Sequence, residues 1–333
     1  MKEKNKGFTL VELLAVIVIL ALIALIATPI ILNVINDAKK QAAKDSAYGY
    51  MDAVEKYIVS SELEDKSIQD GRYSVEELNK KISVKGSTPD NGNIEIKEGA
   101  VKNYNLGIDG YYITKDEVKK VSTTKKIENG TEIYYNPETG KECKSSESKS
   151  TTGTKSGCMK WYVFNDKEGN ATVNVILDHN TTANVAWNST GSNSEMKEVK
   201  IKLEEDTKDW KNTARLITAN EVAKITGNTD WDSSRENQSW FCLDTNKLDS
   251  TNWCSKAQGK SEYAWLFDYT NGCTNHGCNT PDSSNSGYWT STIRVENSTQ
   301  AWHVRSYGYL DNSSVTLTVI GVRPVITISK SNI

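Results

Sequence analysis

Apolar residues fill nearly every position from Phe8 to Ile35, with Glu12 the one charge among them and Pro29 a helix perturber. The run exceeds the ~20 residues that cross a bilayer. Lys2, Lys4 and Lys6 stand before it against Glu3, a basic leader that puts the N-terminus in the cytoplasm and the remainder outside. Past Ile35 the pattern turns periodic. Ile35, Ala38, Ala42, Ala47, Tyr50 or Met51, Val54 and Tyr57 or Ile58 recur at three- to five-residue steps, while Lys39, Lys40, Lys44, Asp45 and Glu55 fill the other face. The spacing predicts one helix from Phe8 to about Ser60, roughly 78 Å long at about 1.5 Å per residue.

Downstream, helical steps give way to alternation. Ser74, with Glu77 three residues on, predicts the capped start of a short helix. After a turn cluster at Lys85–Gly92, alternating runs at Asn93–Lys97, Val101–Ile108 and Tyr111–Thr114 predict a small antiparallel sheet over the upper helix, to which Thr131–Tyr135 adds a strand. Lys144–Gly157 is rich in Ser, Thr and Lys and reads as a flexible surface excursion. Strands are expected next at Trp161–Asn165, Thr172–Asp178, Tyr288–Ile293, Gln300–Ser306, Ser314–Val319 and Val322–Ile328. Helices are expected at Ser194–Trp210 and at Ala219–Ile225, the second capped by Thr218. The fold class is α+β, a long helix with a small sheet head followed by a mixed α+β unit.

Composition sharpens the division. All nine Trp lie from Trp161 onward, all six Cys from Cys143 and all three His from His179. That much Trp belongs to a filled core or a ligand surface, so the C-terminal half reads as a separate unit. The expected divisions are a leader at 1–7, a membrane helix at 8–35, a head at 36–142, a flexible linker at 143–158 and a C-terminal unit at 159–333. A net charge of −3 gives no global basic field, so nucleic acid is not an expected partner. The basic stretch Lys119, Lys120, Lys125 and Lys126 lacks interleaved aromatics and reads as a solvated face.

An even cysteine count beyond an exported segment points to disulfides. Six cysteines admit many connectivities; proximity alone pairs Cys143 with Cys158, Cys242 with Cys254 and Cys273 with Cys278. Cys273, His276 and Cys278, with His303 elsewhere, have zinc-ligand chemistry, but an oxidising location favours the local disulfide. No metal and no cofactor are expected. No Ser-His-Asp or paired-carboxylate constellation stands out, and the chain is not expected to be an enzyme.

Glu12 decides the reading of the N-terminus. A carboxylate at membrane depth costs ~2.5–3.5 kcal/mol on the mildest scale and requires a partner. A signal peptide carries its cleavage site after the apolar run, whereas here a periodic helix continues through it. The octet Gly7-Phe8-Thr9-Leu10-Val11-Glu12-Leu13-Leu14 resembles the prepilin cleavage and methylation motif of type IV pilins and type II secretion pseudopilins. The resemblance implies that prepilin peptidase cuts between Gly7 and Phe8 and methylates the new Phe8 amine. It further implies that Glu12 pairs with that amine on a neighbouring pilin subunit. Localisation follows as a single-pass membrane protein that ends in a pilus or on the cell surface.

The C-terminal unit carries a second resemblance. Ala214–Glu221, Tyr288-Trp289-Thr290-Ser291-Thr292 and Gly321-Val322-Arg323-Pro324-Val325 are similar to motifs of the C-type-lectin-like and formylglycine-generating-enzyme-like fold. It implies a lectin-like domain with Trp289 and Arg323 in its core, suited to adhesion. The family's calcium and sugar motifs, Glu-Pro-Asn and Trp-Asn-Asp, are absent, and Cys273 and Cys278 precede the tryptophan motif where that family's active pair follows it. Trp302, Tyr307, Tyr309, Asp311 and Asn312 form a candidate patch for a glycan or protein surface, alongside the alternative that Trp302 is core and 308–312 a turn. The expected function is a minor or tip pilin-like subunit. The alternatives are a pseudopilin of a secretion or DNA-uptake system and a membrane-tethered exported enzyme.

Overall fold

A computed structural model of the chain describes residues 10–64, 68–84, 86–121, 125–149, 151, 153–226, 240–242, 263–267, 287–305 and 309–333. Its first element, α1 (Leu10–Leu63), is a single helix of 54 residues. Pro29 sits inside it, where the missing N–H leaves a carbonyl one turn back without its usual donor. The neighbouring Thr28 hydroxyl donates to the Ala24 carbonyl at 2.6 Å, the back-bonding by which Ser and Thr side chains locally bend helices. Large apolar side chains from Leu10 to Ile35 are all exposed, and an 18-residue window of mean hydropathy 3.2 has none of its residues buried.

Burial begins at Ala43 and continues through Ala47, Tyr50, Val54, Ile58 and Ser61, one stripe at steps of three and four. The expected Ile35, Ala38 and Ala42 are exposed instead, because the sheet covers only the upper helix. That sheet runs β1 (Gly71–Ser74), β2 (Asn91–Lys97), β3 (Ala100–Ile108), β4 (Tyr111–Thr114) and β5 (Val118–Lys120), paired antiparallel in sequence order. Two hairpins are closed by two-residue turns, Glu98-Gly99 and Asp109-Gly110, with positive φ at both positions, the geometry that matches strand twist. Between β1 and β2, α2 (Val75–Asn79) starts with the expected capping box: the Glu77 amide donates to Ser74 Oγ, and the Ser74 amide to the Glu77 carboxylate. Ile94, Ile96, Leu106, Ile108 and Ile113 pack on Tyr50, Val54 and Ile58 of α1.

The remaining elements are β6 (Glu132–Asn136), β7 (Lys141–Glu142), β8 (Met159–Phe164), β9 (Thr172–Leu177), α3 (Glu198–Asp206), α4 (Ala219–Ile225), β10 (Trp240–Cys242), α5 (Ala264–Phe267), β11 (Gly287–Ile293), β12 (Gln300–Arg305), β13 (Tyr309–Ser314) and β14 (Val325–Ser329). They form two sheets, ordered β14-β9-β8-β6-β7 and β10-β13-β12-β11. Three expectations are corrected here. The strand at Thr131–Tyr135 belongs to the second sheet, where Ile133 faces Trp161 in register, because Tyr135 is buried with Trp161 rather than against α1. Ser314–Val319 is not a strand; the pairing residues are Tyr309–Ser314, whose polar Asp311, Asn312, Ser313 and Ser314 hid the alternation. The longer helix expected at Ser194–Trp210 is confined to α3, since Thr207 caps it through a bond from its hydroxyl to the Leu203 carbonyl.

The tryptophan density is explained by the core. Trp161, Trp187 and Trp289 are almost fully buried and Trp210 nearly so. Each indole N–H donates to a carbonyl, of Tyr135, Thr290, Val185 and Lys155 respectively, which removes the penalty of burying a polar atom with the ring.

The described residues of the stretch 143–158, expected as a flexible linker, are tied to the body at several points. Cys143 and Cys158 are bridged, the Lys155 ammonium meets the buried Asp206 carboxylate at 2.6 Å, and the Gly157 amide donates to Glu138. The bridge closes a loop with a sequence separation of 15, which contributes about 3 kcal/mol in the chain-entropy account. Replacing both cysteines with serine is expected to lower the unfolding free energy in urea by about that amount; an unchanged midpoint would show that the packed stretch alone closes the loop.

The head and the C-terminal unit share a polar, buried seam. Strands β2 and β3 turn Ile94, Ile96 and Leu106 toward α1 and carry Asn91, Asn93 and Asn105 on the opposite face. Asn91 Nδ2 donates to the Thr172 carbonyl at 2.8 Å and Asn105 Nδ2 to the Thr327 carbonyl at 2.7 Å. Arg72 reaches the Ala214 carbonyl at 2.9 Å. Gly107 lies against this seam, where a Cβ would approach Thr172 Oγ1 to 2.5 Å.

Candidate functional site

The N-terminal site is built by α1. Glu12 lies in its first turn, within a fully exposed apolar cylinder; Gly7 and Phe8 lie outside the described residues. From Leu10 to Ile35 the helix spans about 39 Å, more than the ~30 Å hydrocarbon layer. The head begins at once: the Tyr111 hydroxyl donates to the Asn36 carbonyl and Lys120 Nζ to Asn36 Oδ1, each at 3.3 Å. The anchor therefore enters the folded unit without a hinge segment.

Of the patch expected around Trp302, the described side chains are buried or paired within the protein. Trp302 is completely buried, packed with Tyr162, Phe164 and Val304. Asn312 is 8% exposed and accepts from Arg294 at 2.9 Å, while Asp311 pairs with Arg305 at 2.8 Å. The cause is register: Trp302 faces Asn312 across β12 and β13, and this strand pair turns its aromatic side into the core. Tyr309 belongs to β13 by its backbone; Tyr307 lies outside the described residues, as do Cys254, Cys273 and Cys278, and the side chain of Cys242. The core alternative for Trp302 is the observed one; the turn alternative for 308–312 is not, since β13 begins at Tyr309.

His303, Ser313 and Asp311 come together without forming a relay. His303 Nε2 lies 2.9 Å from Ser313 Oγ and 3.9 Å from Asp311 Oδ2, so hydroxyl and carboxylate face the same nitrogen. A nucleophile triad needs them on opposite nitrogens. Burial, then the Arg305 guanidinium, hold the imidazole down to about 3, so it stays neutral. Burial pushes the Asp311 carboxyl up to about 6, against the pull of Arg305. A raised carboxyl binds its proton more tightly in the folded chain, so its contribution is present below the unfolded value and is lost as pH rises through about 6. We expect the loss of stability between pH 4 and pH 7, read as urea midpoints, to be smaller in Asp311→Asn by on the order of 2 kcal/mol; equal losses would place Asp311 in water.

A polar cleft opens at the edge of the seam. It has a volume of about 300 Å³ and lies between α2 and the β8–β9 connection, with Asn79, Asn91, Asn165, Asn170 and Asn174 on its walls. A smaller one of about 190 Å³ adjoins it, sharing Ser74, Glu76, Lys80 and Glu221. Beneath both, Arg215 is held by Glu221 at 2.6 and 2.7 Å and by Asn93 Oδ1 at 2.7 Å. The sequence shows Arg215 and Glu221 as the shoulders of the Thr218 cap, but nothing in it marks their partner across the seam.

Residues 2–28 match the prokaryotic N-terminal methylation motif. No curated protein and no solved structure matches the chain. The methylation motif supports a prepilin-processed protein of the type IV pilin-like or pseudopilin type, and it implies processing by prepilin peptidase and assembly with other pilin subunits. It begins as a membrane-anchored precursor, held by α1, and ends in a surface pilus. Its α+β fold, a long N-terminal helix followed by antiparallel sheets, is the one expected of such a subunit.

Proposed function

We propose that the mature chain is a minor, tip-located pilin whose C-terminal unit faces outward and binds a surface or partner. The supporting observation is bulk. Two of its sheets, with α3 and α4, stand beside a head that already covers the upper half of α1, and a unit of that size on every subunit crowds a repeating filament. A binding role is favoured over catalysis by the arrangement of His303, Ser313 and Asp311 around one nitrogen. The lectin-like likeness is carried by Trp289 and Arg323, both buried in the core. Arg323 sits among the carbonyls of Leu177, Leu266 and Trp265 with its guanidinium over the Tyr288 ring.

Processing and placement are tested together. Intact-mass measurement of the chain from sheared filaments is expected to give Phe8 as the first residue, one methyl group heavier than the bare chain. Immunogold against the C-terminal unit is expected at filament ends. Label spread evenly along the filaments would overturn the tip assignment, and label confined to secretion sites without filaments would favour the pseudopilin.

A further inference from the structure

We propose that a cleft at the base of the head is a site for a zwitterionic phospholipid headgroup bearing a primary ammonium, which seats the head on the bilayer before assembly. The cleft has a volume of about 470 Å³ and lies between α1, just above its apolar run, and the turn joining β4 to β5. Its height is set by the anchor. The apolar run ends at Ile35, its large side chains exposed throughout. Being longer than the hydrocarbon layer, the run is accommodated by tilt, which brings Ile35 to the layer's edge. Asp37 and Lys40 stand about 3 and 8 Å further along the helix. That is the depth of the headgroup layer, about 5–8 Å thick on each side. The head reaches the same level, since Tyr111 and Lys120 bond Asn36.

The walls carry opposite charges that do not meet. Asp37, Lys40 and Lys44 line the cleft from α1, and Lys115, Asp116 and Glu117 line it from the turn. Among the described residues, none of these lysines forms an ion pair with a carboxylate, inside the cleft or outside it. The α1 wall is positive on balance, with two lysines against Asp37; the turn wall is negative, with two carboxylates against Lys115. The turn is fixed before any ligand arrives. The amides of Asp116 and Glu117 donate to Thr114 Oγ1 at 3.3 and 3.1 Å, and the Thr114 amide donates to the Glu117 carbonyl at 2.9 Å. On the other wall the Lys44 ammonium rests over the Tyr48 ring, 5.7 Å from its centre.

That division of sign selects the headgroup. A phosphate diester fits Lys40 and Lys44, and a primary ammonium beside it donates charge-assisted bonds to Asp116 and Glu117. The six charges sum to zero, so an anionic headgroup gains none of the attraction that polybasic juxtamembrane segments supply. A quaternary ammonium keeps the charge but has no N–H to donate, so it gains less. Continuity with the anchor favours a lipid over a protein partner: one helix carries the apolar span and the cleft wall at adjoining heights.

The test offers the full chain, in detergent micelles, equal amounts of phosphatidylethanolamine, phosphatidylcholine and phosphatidylglycerol with matched acyl chains. Native mass spectrometry reads what is retained, and the matched chains cancel the contribution of the apolar span. Phosphatidylethanolamine is expected to be retained roughly three- to tenfold over the other two. Asp116→Asn/Glu117→Gln is expected to abolish its advantage over phosphatidylcholine, whereas Lys40→Gln/Lys44→Gln is expected to lower retention of both. Asp116, Glu117 and Lys40 are exposed and Lys44 half-buried, so the fold is retained, as a thermal melt checks. Equal retention of the three lipids, a preference for phosphatidylglycerol, or a preference untouched by Asp116→Asn/Glu117→Gln overturns the site. Cross-linking of Glu117 to a neighbouring subunit in filaments, without any lipid preference in micelles, would assign the cleft to a filament contact instead.

Discussion

Replacing Arg215 with alanine is expected to lower the unfolding free energy by about 3–5 kcal/mol, the scale on which breaking a buried pair from one side is costly. Arg215 is 2% exposed. Its guanidinium makes two bonds to the Glu221 carboxylate, one to the Leu216 carbonyl and one to Asn93 Oδ1 on β2. Truncation leaves the buried Glu221 without its counter-charge and the Asn93 oxygen without that donor. Glu77 suffers too, since Arg215 is the main influence holding down a carboxyl that burial raises. A loss of that size is a large share of the ~5–15 kcal/mol that domains possess. Because Asn93 belongs to the head and Glu221 to the C-terminal unit, amide exchange is expected to accelerate on both sides of the seam. Urea titration with hydrogen exchange reads both effects, and a loss below about 1 kcal/mol would show that water enters the seam and solvates Glu221. The double variant Arg215→Ala/Glu221→Ala is expected to cost less than the sum of the singles.

This seam is also where sequence reasoning stopped. Elements with their own local signals were legible: Ser74 and Glu77 gave α2, the Thr218 cap gave α4, and the β-prone run Tyr111–Thr114 gave β4 to the residue. The polar faces of β2 and β3 were not. Asn91, Asn93 and Asn105 alternate with isoleucine and leucine, a pattern that ordinarily marks a strand with one face in water. Here that face is covered by a second unit, and each carboxamide replaces water with a main-chain carbonyl. Composition cannot distinguish a solvated asparagine from one bonded across an interface, because the distinction lies in partners at sequence separations of 81 and 222 residues. The same limit explains Trp302. Period-two alternation locates the strand, but which face meets the core is set by the neighbouring β13 and by Tyr162, Phe164 and Leu310. The N-terminal motif, matched at residues 2–28, stood out because its logic is local: a charge in an apolar run is conspicuous without any knowledge of the fold.

That charge carries the other large expected effect. Glu12→Ala is expected to leave the chain cleaved and resident in the membrane while its share of the filament fraction falls on the order of a hundredfold, the factor equivalent to ~2.5–3.5 kcal/mol for an acid at membrane depth. On the pairing that the resemblance implies, Glu12 of a single subunit in the bilayer lacks the opposite charge that a neighbour's amine supplies. Assembly brings the Phe8 amine of a neighbour to it and removes that cost from both charges. Alanine abolishes the penalty in the free subunit and the gain in the filament together, so the driving force for leaving the bilayer falls. Glu12→Gln separates charge from hydrogen bonding: it keeps an acceptor for the amine but no counter-charge, and is expected to fall between alanine and the wild type. Quantitative blotting of sheared filaments against membranes gives the ratio directly. Wild-type incorporation by Glu12→Ala would mean that packing of the exposed stripe from Leu10 to Ile35 drives assembly unaided, with Glu12 left to serve recognition by the peptidase alone.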